Sequence, residues 1–102
     1  MIKLVSVEDK KVTGFLFAEI IFVGGDITKR RKIMSIHEIG VDSSCRSTGF
    51  GTELLDEVKK IAKVKNCEEI ILSVWSFNER AISFYIRNQF QCQCMRMELE
   101  MN

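Results

Sequence analysis

A chain of 102 residues with 46% hydrophobic and 28% charged positions has the make-up of one folded domain over residues 1–102, neither disordered nor fibrous. Fifteen Lys and Arg against fourteen Asp and Glu leave a formal charge of +1, which disfavours nucleic acid or an anionic membrane as partner. The longest apolar stretch, Phe15 to Val23, is interrupted by Glu19 and falls short of the roughly 18 residues a membrane-spanning helix needs.

The opening residues MIKLVSVEDKK carry no signal-peptide pattern, so a cytoplasmic location is expected. Ile2, Leu4 and Val7 lead into the polar turn Glu8-Asp9-Lys10-Lys11, and Val12 to Val23 is rich in β-branched and aromatic residues, which predicts a two-stranded hairpin. Gly24-Gly25-Asp26 is turn chemistry. After the basic run Lys29-Arg30-Arg31-Lys32, the residues Met34, Ile36, Ile39 and Val41 indicate a third strand over Ile33 to Asp42. Its alternation slips between Ile36 and Ile39, and a bulge near Gly40 is the expected cause. From Gly49 to Lys65 the period becomes helical: Leu54, Leu55, Val58, Ile61 and Ala62 share one face, and Asn66 or Cys67 ends the run. Glu69 to Trp75 is nearly continuous in apolar residues and predicts a strand covered on both faces, with Trp75 in the core. Asn78 is a good N-cap for a second helix whose Ala81, Ile82, Phe84 and Tyr85 share a face, and Gln91 to Met101 alternates as a last strand. The expected order is βββαβαβ. Cys45, Cys67, Cys92 and Cys94 form neither a CxxC pair nor metal-ligand spacing, so they read as reduced thiols without a metal.

The segment Arg46-Ser47-Thr48-Gly49-Phe50-Gly51-Thr52 lies between the third strand and the long helix. A helix N-terminus presents unpartnered N–H groups and the positive end of the helix dipole, and glycine admits an anionic oxygen close to the backbone, so a pyrophosphate would fit. Ordinary helix capping is the plainer account of the same residues.

Ile36-His37-Glu38-Ile39-Gly40-Val41 followed by Arg46 to Gly51 resembles the bulged strand and Q/R-x-x-G-x-G/A loop of the GNAT superfamily of acetyl-CoA-dependent N-acetyltransferases. Asn78-Glu79-Arg80-Ala81-Ile82-Ser83-Phe84-Tyr85 is similar to that family's N-x-x-A-x-x-F-Y segment, in the right order and at the expected distance. The resemblance covers nearly the whole chain and implies an α/β (α+β) mixed sheet lacking the family's usual first strand and helices. It further implies acetyl-CoA as co-substrate, with no metal, and direct attack of an amine on the thioester in a ternary complex. By this resemblance the backbone of Ile39 and Val41 would hold the pantetheine arm where two parallel strands part. Amides of Arg46, Ser47, Thr48, Gly49, Phe50, Gly51 and Thr52 would cradle the pyrophosphate, Asn78 would contact the cofactor arm, and Tyr85 would protonate the departing thiolate.

The acceptor amine must lose a proton before attack, and Glu38 stands where several members of the family carry a carboxylate base, with His37 its competitor. Adjacent strand residues point to opposite faces unless a bulge intervenes, so one of the two is expected to face the cleft. Plainer roles stand beside these: a hydrogen-bonded surface His37, a solvated Glu38, a half-buried aromatic Tyr85, a solvated basic loop at Lys29 to Lys32, and Cys92 and Cys94 as strand neighbours. Asn88 stands near the position where the family has a helix-ending Gly and is expected to take its left-handed conformation. The missing elements would leave a sheet edge and an apolar face uncovered, so a homodimer or a partner chain is expected. The alternative function is a catalytically silent CoA-binding or interaction module.

Overall fold

The structure is a computed structural model and describes residues 1–8, 10–24, 30–42 and 49–101. Four strands, β1 (Ile2–Glu8), β2 (Lys11–Val23), β3 (Arg31–Val41) and β4 (Glu69–Ile71), form one sheet in the order β1-β2-β3-β4. The first two pairings are antiparallel and β3 pairs with β4 in parallel. Helix α1 (Phe50–Val64) makes the crossover between β3 and β4, and α2 (Glu79–Arg87) follows β4. This is the mixed α/β architecture expected from the sequence.

The core lies between one face of the sheet and α1. Leu16 and Ala18 of β2, Met34 and Ile36 of β3, and Leu54, Leu55, Val58 and Ala62 of α1 form a single buried cluster. The helical residues are those of the apolar stripe, and each large side chain so buried contributes about 1.5–3 kcal/mol. Helix α1 ends in a Schellman arrangement: Asn66 turns left-handed (φ 61°), its N–H bonds Lys63 O, and the Cys67 N–H bonds Ala62 O.

Two register breaks shape the sheet. Between β1 and β2 the register shifts after Ser6, leaving Thr13 as the extra residue on β2. Thr13 is buried, and its hydroxyl lies 3.1 Å from the Ser6 carbonyl and 2.9 Å from the Ser6 hydroxyl, which satisfies a polar group the core would otherwise penalise. Between β2 and β3, Phe17 faces Glu38 while Ala18 faces Ile36, so His37 is the inserted residue. The bulge therefore sits at His37, three residues before the glycine to which the sequence pattern assigned it. Gly40 answers to a different constraint: a Cβ there would lie 2.5 Å from the Phe15 ring.

Three further expectations are corrected. The strand expected over Glu69 to Trp75 pairs only through Ile71, and Trp75 is 74% exposed instead of lying in the core. The segment Gln91 to Met101, expected as a last strand, pairs with no strand among the described residues and is exposed throughout. At the end of α2 it is Gln89, not Asn88, that takes the left-handed conformation, with φ 72° against −94° for Asn88. Asn88 instead caps with its side chain, its Nδ2 donating to Phe84 O at 2.9 Å.

Two substitutions test these constraints. A Cβ on Gly14 would meet the Gly40 carbonyl oxygen at 2.9 Å, and neither backbone can yield without disturbing the β2–β3 pairing. Gly14→Ala is expected to lower stability by about 1–3 kcal/mol in urea unfolding. Gln89→Gly, which removes the left-handed strain, is expected to raise stability by about 1 kcal/mol, read as an increase in Tm.

Candidate functional site

The β3–β4 pairing stops at Ser35 and Ile71, two residues before the bulge, and β3 then runs on through Val41 with no strand at this edge among the described residues. Backbone groups of a strand alternate between its two edges. Before the bulge, Lys32 O accepts from the Glu68 N–H at the entry to β4, so even-numbered residues of β3 face β4. After it, the Asp42 N–H donates to Thr13 O, so even-numbered residues face β2. The inserted His37 thus reverses the parity and turns the N–H and C=O of Ile39 and Val41 to the open edge. An extended polar chain laid along that edge would find an alternating donor and acceptor row.

The N-terminus of α1 lies beside the end of this edge. Gly14 opposes Val41, and a Cβ on Gly14 would come within 3.2 Å of the Leu54 side chain in the first turns of the helix. Gly49 is the N-cap, at φ 91°, without a side-chain capping bond, and a Cβ there would meet nothing within 4 Å among the described residues. That positive φ lies in the region glycine enters at least cost, and the bare cap leaves the first-turn N–H groups of α1 without a side-chain acceptor among the described residues. Arg46, Ser47 and Thr48 lie outside the described residues, as does Cys45. Phe50, Gly51 and Thr52 form the first turn of α1, which the Glu53 N–H closes by bonding Gly49 O at 2.9 Å.

Helix α2 packs against that same turn. A Cβ on Gly51 would lie 2.9 Å from the Phe84 ring, so the absence of a side chain at Gly51 lets the ring sit against the helix start. Asn78 caps α2, its Oδ1 accepting from the Ala81 N–H at 3.2 Å. Tyr85 is half-buried, tilted against Phe84 at 5.4 Å and edge-on to Phe90 at 5.7 Å. Burial disfavours the phenolate and raises the Tyr85 pKa above its ordinary value near 10, so the phenol keeps its proton at neutral pH.

The bulge also settles the orientation of His37 and Glu38. Ile36 and Ile39 oppose Ala18 and Leu16 of the core, so the two residues between them both fall on the face away from α1, opposite Phe17. The expectation that only one faces the cleft side is corrected: the inserted residue puts both on the same face. His37 Nε2 lies 2.8 Å from Glu19 Oε1, a residue the sequence reading did not single out. Glu19 opposes Ser35 two residues before His37, and only the register, which the bulge alters, reveals that pairing.

The sequence reading also missed an exposed aromatic pair beyond β4. Trp75 and Phe77 stack at 5.9 Å with 17° between their planes and lead into the Asn78 cap, whose N–H bonds Trp75 O. Of the basic run, Arg31 is paired with Glu68 and Glu69, and Arg30 lies over the Phe22 ring at 5.6 Å; Lys29 lies outside the described residues. Cys67, Cys92 and Cys94 are free thiols, and among the described residues no three His, Cys, Asp or Glu side chains gather as a metal site. No helix among them is long and apolar enough to cross a membrane.

Comparison with known proteins shows the family and the fold. The model of the acetyltransferase (GNAT) family matches residues 3–90. An uncharacterised N-acetyltransferase of Methanocaldococcus jannaschii is 32% identical over 81 residues, which cover 79% of this chain and 35% of that protein. A mutant of the BH1408 protein from Bacillus halodurans superposes with a TM-score of 0.92 at 27% identity, covering 98% of this chain and 65% of that one. An aminoglycoside acetyltransferase from an uncultured soil metagenomic sample shares the fold, with a TM-score of 0.80 at 18% identity and coverages of 98% and 65%. The chain therefore spans about a third of the curated relative and just under two thirds of these solved structures. Matched by the family model over residues 3–90, the chain belongs to the acetyltransferase (GNAT) family.

Proposed function

We propose that this chain binds acetyl-CoA along the open edge of β3 and transfers its acetyl group to an amine by direct attack in a ternary complex. The observation that carries the reading is the parity reversal at His37, which turns Ile39 and Val41 to an edge with no strand among the described residues, beside the N-terminus of α1. The residues present fit the co-substrate. The backbone of Ile39 and Val41 supplies the donor and acceptor row that an amide-containing arm requires. The amides of Gly49, Phe50, Gly51 and Thr52, with those of Arg46, Ser47 and Thr48, supply hydrogen bonds and positive dipole to a pyrophosphate. When bound, acetyl-CoA supplies the activated acyl carbon and a thiolate leaving group.

The chain's own residues do the rest. Asn78 uses its side-chain oxygen to cap α2, which leaves its Nδ2 as the donor toward the cofactor arm. Tyr85, held protonated by burial, gives its hydroxyl proton to the departing sulfur. Glu38 takes the proton from the attacking amine, directly or through a water. His37 shares the same face and its Nε2 is engaged by Glu19, so it would compete for that proton through its Nδ1.

Calorimetric titration with acetyl-CoA is expected to give micromolar binding at about one site per chain, a range ordinary for such a co-substrate. Absence of binding would remove the proposal. Tyr85→Phe is expected to lower kcat by about 10²-fold, the usual worth of a positioned acid, while the affinity for acetyl-CoA stays unchanged. Because burial raises the phenol pKa, activity of the unsubstituted chain should fall only as pH climbs past the ordinary tyrosine value near 10, and this limb should vanish in Tyr85→Phe. Binding with no turnover across a panel of amines would point to the silent CoA-binding module.

A further inference from the structure

Of the two side chains able to take the amine's proton, His37 has a partner that orients it. The bulge gives the place opposite Phe17 to Glu38 and leaves His37 between Glu38 and Ser35, level with the space between Phe17 and Glu19. The residue across the ladder from Glu38 is thus apolar, and its ring tilts against that of Phe15 at 5.1 Å. Glu19, opposite Ser35 on the same face, reaches His37 diagonally, with 2.8 Å between Oε1 and Nε2.

That contact selects a tautomer. An ionised carboxylate only accepts hydrogen bonds, and a neutral imidazole carries one hydrogen between its two ring nitrogens. The nitrogen facing Glu19 therefore holds it, which leaves the lone pair on Nδ1. Once Nδ1 takes a second proton the ring is a cation, and the carboxylate at 2.8 Å pairs with the new charge. A base oriented by a third group is the arrangement that activates nucleophiles in general. Both side chains are half-exposed, and a pair so exposed adds little to folding, so replacing either tests chemistry without loading the core.

We propose that Glu19 is a positioning residue for acetyl transfer, holding His37 with Nδ1 bare so that the imidazole acts beside Glu38 as a second acceptor of the amine's proton. The role rests on the function proposed above and deepens it. An N–H bond of the incoming ammonium breaks, its proton bonds to the Nδ1 lone pair, and the electron pair left on the amine attacks the thioester carbon. The second nitrogen proton, shed as the amide forms, replaces the one Tyr85 gives to the sulfur. Nε2–H stays on Glu19 throughout, and the imidazolium passes its extra proton to water before the next turnover. Glu19 acts only through the ring.

His37 is the one histidine of the chain, so its ring ¹⁵N signals need no assignment by mutation. In alkaline solution without acetyl-CoA, the unsubstituted chain is expected to show Nε2 protonated and Nδ1 bare, and in Glu19→Leu the two signals should converge as the tautomers mix. In the Glu38→Gln variant, where the imidazole is the remaining acceptor, adding Glu19→Gln should lower kcat about tenfold, while KM for acetyl-CoA and the unfolding midpoint stay put. With His37→Asn also present, Glu19→Gln should change nothing further, which a role outside the ring would not give. A proton found on Nδ1, turnover abolished by Glu38→Gln alone, or a kcat indifferent to Glu19→Gln in that variant while acetyl-CoA still binds would each overturn the proposal. Failure of the unsubstituted chain to bind acetyl-CoA would overturn the function beneath it, and this role with it, whatever the ring signals show.

Discussion

Between Ile36 and Ile39 the third strand holds two residues where its neighbour holds one, and the mismatch decides which backbone groups meet which partners. A strand in a sheet spends its hydrogen bonds on both neighbours in strict alternation. Inserting His37 exchanges the two edges from that point on. The parallel ladder with β4 stops just short of the exchange, at Ser35 and Ile71, while the antiparallel ladder with β2 resumes beyond it. The open gap and the orientation of Ile39 and Val41 follow from one residue. So does the common face of His37 and Glu38.

Helix α1 was legible in the sequence because its apolar stripe repeats from Leu54 to Ala62, and its buried side chains are among those the stripe named. The bulge was legible only as a slip. Any insertion between Ile36 and Ile39 leaves the same apolar pattern, so periodicity could show that a residue was added without saying which. Trp75 was misplaced for a related reason: an apolar run reports that residues avoid water on average, while β4 stops pairing at Ile71 and the run continues past its cover. The arm from Gln91 to Met101 alternates as a strand should, but alternation describes a face and names no neighbour. The link between Glu19 and His37 was out of reach altogether, since it depends on a register that the added residue changes.

Two helix ends show how local chemistry substitutes for a missing glycine and exploits a present one. At the end of α2, Gln89 accepts a left-handed backbone while Asn88 ties its side chain to Phe84 O, so the turn closes with no glycine available. At the start of α1, Gly49 holds a left-handed cap with no side chain to fill the space in front of the helix. The first arrangement serves the fold. The second leaves room that a capping serine or aspartate would have taken.

The contact of Gly51 with Phe84 has a mechanical meaning. With the Phe84 ring pressed where a side chain would stand, the first turn of α1 and the body of α2 cannot slide past each other without a clash or a void. Tyr85 is covalently next to that ring. The start of α1 and the helix that carries Tyr85 are therefore coupled through this one ring contact. A side chain at position 51 would press on that ring, so a change at the start of α1 would be felt one residue away from the phenol.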